Sequence, residues 1–402
     1  MGGDDQWASI HQDILNQLTK RFHSYDEYLH LRLVCKQWNF NLSLIPSGNK
    51  VLWLLLPIPT VAAERSSKKA KIHVGTISKL TQRRTRILEE KEIYHLTMPE
   101  LQNNLVRGSC HGWIIMVLIY EGTIRMLNPF TKVCFDLLPI STLPNVIDIH
   151  GDKCIIDLES TYGTLEMDTI SMHKINVYKV ITNSAPNNDR YNDFMAVVIY
   201  GGYRKLAFYK ANDTRWIKFP TSHKMIVDVI FFQEKVYAVD FDHQLYEFHI
   251  KKKLEPVRRI YEGTPLYQHD TNIMQYSYLI GCDDGSLLMV VRHIRLTKHT
   301  EWWRYYKTIK FDIYKLNKNA KVWSRIYDLG NYVLVVGLNS SIQILASNCK
   351  GNKIYFTDSM VGLHPDDDIW RHDIGIFNLK DNSCRRVLSD VNFFCPPVWI
   401  LS

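Results

Sequence analysis

The sequence predicts a mainly β protein in which a short α-helical module precedes a β-propeller of about six or seven blades. Apolar residues recur at helical spacing within residues 9–45. Beyond them, short runs rich in Val, Ile, Tyr and Phe alternate with Gly, Asn, Asp and Pro, without helical spacing between them. The chain has 402 residues, and a single β-sandwich of that length would be unusually large. A propeller therefore fits best.

The first helix is predicted from a start motif and an apolar stripe. Ser9 and Gln12 have the form of a capping box, in which a side chain at each position bonds the backbone of the other. The apolar residues that follow this spacing are Ile10, Ile14, Leu15 and Leu18. One face of a short helix is therefore expected to be apolar.

A second amphipathic helix is predicted to start at Ser24 and Glu27. Its apolar positions recur at steps of three or four and comprise Tyr28, Leu31, Val34, Cys35, Trp38 and Leu42. The Pro and Gly of "IPSGNK" (45–50) end the pattern. Two short helices cannot bury so wide an apolar stripe, so another domain or another protein is expected to cover part of it.

The strands are predicted to form hairpins. Plausible turns are "EGT" (121–123), "YGGY" (200–203), "FDHQ" (241–244) and "DDGS" (283–286). A longer rhythm consists of strands that combine an aromatic or aliphatic residue with Lys or Arg: "TRWIKFP" (214–220), "EPVRRIY" (255–261), "KVWSRIYDLG" (321–330) and "NSCRRVL" (382–388). Their spacing is near the upper end of a blade period and favours the propeller.

Composition narrows the class of protein. Apolar residues make up 46% and charged residues 22% of the chain, as in ordinary globular proteins. The N-terminus lacks the pattern of a secretory signal and no stretch is long and apolar enough to span a membrane, so we expect the nucleus or the cytoplasm. Eight cysteines are scattered singly, which predicts reduced thiols packed mostly as small hydrophobes, with no metal site.

The charge leaves several interpretations open. The net charge is +8, and basic residues concentrate in "RSSKKAK" (65–71), "RRTR" (83–86) and "KKKLEPVRR" (251–259). Solvated loops, nuclear import and contact with an acidic partner are all compatible with such runs. A nucleic-acid-binding propeller would be expected to carry a denser basic surface than this dispersed set, so nucleic acid is an unlikely partner.

Catalytic motifs are absent from the sequence. It contains no GxSxG, HExxH, P-loop or GxGxxG pattern. We therefore expect a chain that is not an enzyme and needs no cofactor. A propeller enzyme stays an alternative, because a site assembled from distant residues leaves no local motif.

The helical segment resembles an F-box. In "SIHQDILNQLTKRFHSYDEYLHLRLVCKQWN", Ile10, Asp13, Ile14 and Leu15 match the first half of that motif. The second half, which is more specific, is matched by Leu31, Arg32, Val34, Cys35, Lys36 and Trp38. His11 occupies the position at which the motif usually has proline, a residue that preorganises the first helical turn. This departure bears on partner affinity more than on the fold.

The rest of the chain resembles the plant F-box proteins whose C-terminal β-propeller is a domain of unknown function numbered 295. The matching segments run in order from "GSCHGWIIMV" and "RMLNPFTKVCFDLLP" (108–139) through "YDLGNYVLVVGLNSSIQI" (327–344), "KGNKIYFTDS" (350–359) and "DIGIFNLKDN" (373–382) to "CPPVWI" (395–400). This implies a helical F-box module over residues 7–46 and a propeller over 47–402, with a linker and basic loop around 57–71. The terminal "PPVWI" is expected to complete a blade begun by the first strands.

The resemblance implies a substrate-recognition subunit of an SCF-type (Skp1-cullin-F-box) E3 ubiquitin ligase. The F-box would dock on the Skp1-type adaptor, and through it on the cullin-RING ligase, while the propeller holds an unknown target protein. The residues expected on the adaptor face are Ile10, Ile14, Leu15, Leu18, Leu31, Val34 and Trp38. They could instead pack internally, and the protein could be an adaptor-free propeller interaction protein with a degenerate F-box.

Two polar loops are candidates for contact with the target. The first, "HTEWWRYYK", brings aromatic and cationic side chains together, as interfaces favour, and contributes Trp302, Trp303, Arg304, Tyr305 and Tyr306. It could also be a hairpin tip that packs on its own blade. The second, "GLHPDDDIWRHD" (362–373), carries Asp366, Asp367 and Asp368, which could bind a cation or a basic peptide or form a solvated turn.

Overall fold

The strands of this chain are arranged as a β-propeller. The structure is a computed structural model, and it describes residues 10–19, 31, 34, 35, 37, 38, 52–56, 74–79, 93–101, 104–158, 163–186, 193–220, 225–249, 256–259, 272–298, 304–346, 351–357, 373–386 and 397–401. Among these residues no helix is both long and apolar enough to cross a membrane.

Two blades and one helix come from the first third of the chain. The helix α1 spans Gln12–Thr19. Blade 1 takes its three outer strands from β1 (Leu52–Leu56), β2 (Val74–Lys79) and β3 (Ile93–Thr97). A 3₁₀ turn, Pro99–Leu101, leads to blade 2, which consists of β4 (Leu105–Cys110), β5 (Trp113–Leu118), β6 (Thr123–Leu127) and β7 (Cys134–Asp136).

A small unit is inserted between blades 2 and 3. After a 3₁₀ turn at Ile140–Thr142, it comprises a three-stranded sheet of β8 (Val146–His150), β9 (Lys153–Asp157) and β10 (Thr164–Asp168), followed by α2 (Thr169–Ile175). The Asp168 side chain caps α2 by accepting the Ser171 N–H at 2.7 Å. The helix rests on blade 2, because His173 Nδ1 lies 2.7 Å from the Ile119 carbonyl oxygen.

Four more blades complete the ring. Blade 3 consists of β11 (Val177–Thr182), β12 (Met195–Tyr200), β13 (Lys205–Lys210) and β14 (Ile217–Lys218). Blade 4 consists of β15 (Ile226–Phe232), β16 (Lys235–Asp240), β17 (Leu245–His249) and β18 (Pro256–Arg259). Blade 5 consists of β19 (Ile273–Gly281), β20 (Leu287–Lys298), β21 (Arg304–Asn317) and β22 (Val322–Ile326).

Blade 6 has five strands, and the last strand of the chain belongs to blade 1. Blade 6 follows the order β24-β23-β25-β26-β27 and is built from β23 (Tyr332–Val336), β24 (Ile342–Leu345), β25 (Lys353–Phe356), β26 (Gly375–Asn378) and β27 (Ser383–Arg386). β28 (Val398–Leu401) then pairs with β1.

The inserted sheet does not stand in the ring. β4 and β11 lie directly against each other, so closely that a β-carbon at Gly108 would overlap the Val180 carbonyl oxygen. The described residues thus form six blades in the ring, with β8–β10 as a seventh sheet outside it. The prediction of six or seven blades is confirmed.

The apolar core lies between successive blades. Side chains on both faces of β4, β5 and β12 are buried, which is the pattern of sheets packed between two neighbours. One cluster joins blades 1 to 3, another blades 3 and 4, and a third blades 4 to 6. A fourth joins blade 6 to blade 1 through residues that include Val335 and Trp399.

The ring is closed by pairing of the first and last strands. Leu54 lies opposite Trp399 in the antiparallel ladder of β1 and β28. The Trp399 ring packs edge-on against Tyr355 of blade 6, with 6.0 Å between ring centroids. The predicted role of "PPVWI" is therefore confirmed, and the edge of β1 is covered.

Local predictions also match the strands. The four recurrent basic strands form β14, β18, β22 and β27, which are the outermost strands of blades 3 to 6. All four proposed hairpin turns connect paired strands. In "NPFT", Asn128 Oδ1 accepts the N–H groups of Phe130 and Thr131, both at 3.0 Å.

Candidate partner-binding surfaces

The N-terminal helix starts directly after His11, the residue that replaces the usual proline. The His11 carbonyl accepts the N–H groups of Ile14 and Leu15 at 3.0 and 3.2 Å. His11 Nδ1 accepts the Asp13 N–H at 3.4 Å. His11 thus caps α1 with its side chain, in the manner of Asn or Ser. The predicted capping residue Ser9 lies outside the described residues.

The second predicted helix is interrupted. Val34 is in a bend and Cys35 has no regular structure, whereas Gln37 and Trp38 are helical again. The prediction of one continuous helix through these positions is therefore wrong. The cause is local, because Cys35 Sγ accepts the Trp38 N–H at 3.4 Å and starts a new helical turn.

Several of the predicted adaptor-face side chains form an internal cluster. Leu15 and Trp38 are 0% and 4% exposed, and Ile10, Leu31 and Cys35 pack against them. The chain itself covers Leu15 and Trp38, so little of either side chain is open to a partner. Their apolar spacing reflects the core of the helical unit.

Two predicted residues stay exposed on the same unit. Ile14 is 53% exposed and Val34 is 52% exposed. Leu18 is half-buried. Because their neighbours are internal, Ile14 and Val34 are the aliphatic side chains that remain open to a partner among those predicted.

The aromatic loop predicted for the target lies at the tip of the hairpin formed by β20 and β21. Trp302 and Trp303 are outside the described residues. Arg304 and Tyr305 belong to β21, opposite Lys298 and Thr297 of β20. Tyr306 is half-buried and packs against the cluster of blades 4 to 6. β20 and β21 thus form a hairpin, and packing of its tip on the blade stays a prediction.

The acidic loop begins next to this hairpin. Its residues Asp366, Asp367 and Asp368 are outside the described residues, but its flanks are not. Arg292 Nη1 donates to the Thr357 carbonyl at 3.0 Å and Nη2 donates to the Asp373 carbonyl at 3.1 Å. Arg292 belongs to β20, so the described flanks of the acidic loop, Thr357 and Asp373, lie beside this strand.

An ion pair fixes these flanks. Arg292 and Asp373 are 0% and 1% exposed, and Nη2 lies 3.2 Å from Oδ2. Arg292 Nε donates to Thr308 Oγ1 at 2.8 Å, and the guanidinium lies 4.7 Å from the Phe356 ring centroid. This site was not predicted from the sequence. A cation in the apolar run "LLMVVRHI" (287–294) was the feature that could have indicated it.

A second buried pair joins blades 3, 4 and 5. Lys179 Nζ lies 2.5 Å from Asp228 Oδ1, and Asp228 Oδ2 accepts the Leu279 N–H at 2.8 Å. Burial raises the pKa of Asp228, and the Lys179 charge opposes that rise. Lys179, Asp228 and Leu279 lie on the first strands of three successive blades. Their contacts therefore hold these blades together in the ring.

A buried serine and histidine form the closest resemblance to a nucleophile and base in the described part of the chain. His243 Nδ1 lies 2.7 Å from Ser277 Oγ. The other ring nitrogen faces Gln275 Oε1 at 3.3 Å, where a catalytic histidine would have a carboxylate. Both side chains are about 1% exposed. Such a pair can order the interior, but a substrate cannot reach it.

Acidic, histidine and cysteine side chains are not grouped as metal ligands within the described ranges. The six cysteines described there are free thiols. Cys110, Cys154 and Cys282 are buried, whereas Cys134 is exposed and does not fit the expected packing. Burial raises the pKa of the Cys110 thiol, which disfavours the reactive thiolate.

The chain is similar to known plant proteins over most of its length. It is 19% identical to the "F-box protein SKIP23" of Arabidopsis thaliana over 425 residues, which cover 98% of this chain and 96% of that protein. It is 21% identical to the "F-box protein At2g26160" of the same plant over 382 residues, which cover 88% of this chain and 96% of that protein.

These relatives are named as F-box proteins. The recognition of a plant F-box and β-propeller protein is thereby confirmed. The family model described as "KIB1-4 beta-propeller" matches residues 85–378, which span β3 to β26 and therefore include the strands of blades 2 to 5. The chain belongs to the KIB1-4 β-propeller family.

Proposed function

We propose that this chain is the substrate-recognition subunit of an SCF-type E3 ubiquitin ligase. In this role the helical unit docks on a Skp1-type adaptor and the propeller holds a target protein. The plant relatives are named as F-box proteins, which supports docking of the helical unit on an adaptor. The chain makes or breaks no bond itself and would act in the nucleus or the cytoplasm.

The observation that supports this function most directly is the exposed pair Ile14 and Val34. The apolar interior of the helical unit is already closed around Leu15 and Trp38. Two further aliphatic side chains, each about half exposed, remain on its surface. Exposed aliphatic side chains of this kind can be covered by an apolar partner surface, so both are candidates for the adaptor contact.

The mechanism is an increase in effective concentration. A rigid ring that holds the target, joined to a unit that holds the adaptor, places the target near the ubiquitin-charged enzyme. Ubiquitin transfer between separate molecules then becomes nearly intramolecular. The cores between the blades supply the rigidity that this role requires.

Co-purification of the full chain with a plant Skp1-type adaptor tests the proposal. We expect a stable complex from the wild type and a loss of roughly tenfold or more in affinity from the Ile14→Lys, Val34→Lys double variant, because two charges would enter an apolar contact. Leu31 is left intact because it packs internally.

The matched control places the same two charges on the propeller. Ile217→Lys and Leu345→Lys alter side chains that are 46% and 54% exposed there. The control variant is expected to bind the adaptor like the wild type. Absence of a complex from well-folded wild-type protein would contradict the proposal and favour an adaptor-free interaction protein.

The proline position can be tested separately. His11 already supplies a side-chain acceptor at the start of α1, so His11→Pro is expected to change adaptor affinity by only about 1 kcal/mol or less. Titration calorimetry against the adaptor would measure this. A large gain in affinity would show that the departure from the F-box motif weakens the natural complex.

A further inference from the structure

The hairpin of β20 and β21 is longer than its blade. Its strands have 12 and 14 residues, whereas the corresponding strands of blades 2 to 4 have five or six. β19, the first strand of the blade, begins at Ile273 opposite Arg295. Pairing continues for three further pairs, up to Lys298 and Arg304. The hairpin therefore extends about 10 Å beyond the first strand.

Alternation along the strands gives this hairpin an inner and an outer face. Ile294 and Thr308 form one pair, and both side chains are buried. The next pair is Arg295 and Lys307, which points to the opposite face, and both side chains are exposed. Two cations thus lie directly opposite each other on the outer face.

Like charges in this position repel. The β-carbons of directly opposed residues are about 4.5–5.5 Å apart, and a pair of equal charges destabilises the sheet. No ion pair joins Arg295 or Lys307 to another residue in the part of the chain that the structure describes. An anion placed between the two cations would remove the repulsion.

Among the described residues, the carboxylates of Asp312 on β21 and of Asp373 before β26 are already engaged. Asp312 contacts His293, Lys310 and Arg325. Asp373 contacts Arg292 and, at 3.4 Å, Arg386. Both carboxylates are buried, so neither is available to neutralise Arg295 and Lys307.

The cationic surface continues across the seam to blade 6. Burial raises the pKa of the Cys384 thiol, and the charges of both Lys307 and Arg386 oppose that rise. The strand that carries Lys307, β21, lies against β27, which carries Arg386. We call Arg295, Lys307 and Arg386 the cationic seam.

We propose that the cationic seam binds an acidic segment of the target protein, with Arg295 and Lys307 contacting the same carboxylate. This inference rests on the proposed function, since it assigns the chemistry of the target. Arg295 and Lys307 carry the open charges, and Arg386 adds a third cation that Asp373 already contacts at 3.4 Å. Such a set suits the carboxylates of a short peptide. Tight binding of a nucleic acid commonly uses about six to ten phosphate contacts, which is more than the seam offers.

Fluorescence anisotropy of the full chain with a fluorescein-labelled peptide of eight glutamates tests this binding. A peptide of eight glutamines is the uncharged comparison. We expect the glutamate peptide alone to bind, with an affinity that falls as salt is raised. Arg295→Glu, Lys307→Glu is expected to weaken binding by roughly tenfold or more, because attraction becomes repulsion.

Two controls separate charge at the seam from net charge and from folding. Arg215→Glu, Lys321→Glu makes the same change of net charge at exposed positions elsewhere, and is expected to bind like the wild type. Arg295→Glu alone places a carboxylate opposite Lys307, so the thermal midpoint should stay equal or rise while peptide binding falls.

Three results are decisive. Equal binding by the double variant and the wild type would overturn the proposal. Displacement of the peptide by a thymidine dodecanucleotide at lower concentration than by unlabelled peptide would identify a nucleic-acid surface instead. Adaptor co-purification of the same double variant should be unchanged. Failure of the wild type to bind the adaptor would contradict the proposed function but would not affect the peptide-binding result.

Discussion

Arg292 and Asp373 belong to different blades and meet in an interior that excludes water. The guanidinium Nη2 lies 3.2 Å from the carboxylate Oδ2, and neither side chain is more than 1% exposed. Arg292 also reaches the Tyr278 hydroxyl at 3.2 Å. Because Asp373 lies two residues before β26 (Gly375–Asn378), this pair joins blade 6 to blade 5.

Removing the cation should destabilise the ring strongly. Arg292→Met leaves Asp373 buried with only part of its compensation, so the free energy of unfolding is expected to fall by about 3–5 kcal/mol. Urea denaturation followed by fluorescence would measure it. Arg325→Met is the control, since that guanidinium is about a third exposed and should cost about 1 kcal/mol or less. Equal losses of unfolding free energy in the two variants would contradict a special stabilising role for the buried Arg292–Asp373 pair.

Gly108 should tolerate no side chain. A β-carbon there would overlap the backbone oxygen of Val180 on the neighbouring blade, and backbone cannot turn aside as a side chain can. Gly108→Ala is expected to lower the free energy of unfolding by about 1–3 kcal/mol. Gly202→Ala is the comparison, because nothing lies within 4 Å of a β-carbon at that position. Equal melting temperatures of the Gly108→Ala and Gly202→Ala variants would argue against direct contact of β4 and β11.

Closure of the ring should depend on Trp399. Its side chain is 3% exposed and packs on Tyr355 and Leu54. Trp399→Ala is expected to lower the free energy of unfolding by about 3–5 kcal/mol. Tyr120→Ala removes an aromatic ring that is 71% exposed. This substitution should change the free energy of unfolding by about 0.5 kcal/mol or less. Calorimetric midpoints of the two variants would distinguish them.

Stability should decline as the pH falls from 7 towards 5.5. Burial lowers the pKa of His243, and the His293 charge lowers it further. The unfolded chain therefore takes up a proton near pH 6.5, and the folded chain does so only at lower pH. The loss of stability begins near the unfolded pKa and levels off below the folded pKa.

His243→Gln should reduce the slope of unfolding free energy against pH by the equivalent of about one bound proton at most. Urea midpoints at pH 7.5, 6.5 and 5.5 would measure the slope. A residual slope is expected from His111, whose pKa burial also lowers. An unchanged slope in His243→Gln would show that this histidine does not carry the effect.

Much of the fold was predictable because it depends on local patterns. The outer strands repeat a mixture of apolar and basic residues, and turns such as Gly122 and Gly285 carry the positive φ that glycine allows. The closing role of "PPVWI" followed from its place opposite β1. The break at Cys35 was not predictable from spacing, because Val34 and Cys35 keep the helical apolar period through the bend.

The site was less predictable, because its residues are joined by tertiary structure. Apolar spacing identified the helical unit but could not tell the internal Leu15 from the exposed Ile14, which is its neighbour in sequence. Arg295 and Lys307 are 12 positions apart and become opposed only through the register of the long hairpin. The separation of Arg292 and Asp373 hides their pairing in the same way.

The pairing of β1 with β28 has a consequence for synthesis on the ribosome. The partner strand is translated roughly 340 residues after β1, which takes about 20–70 s at usual rates of elongation. Throughout that interval the nascent chain carries blade 1 without its innermost strand and with an open backbone edge. Newly made copies of this protein should therefore depend on chaperones that shield unpaired strands until translation is complete.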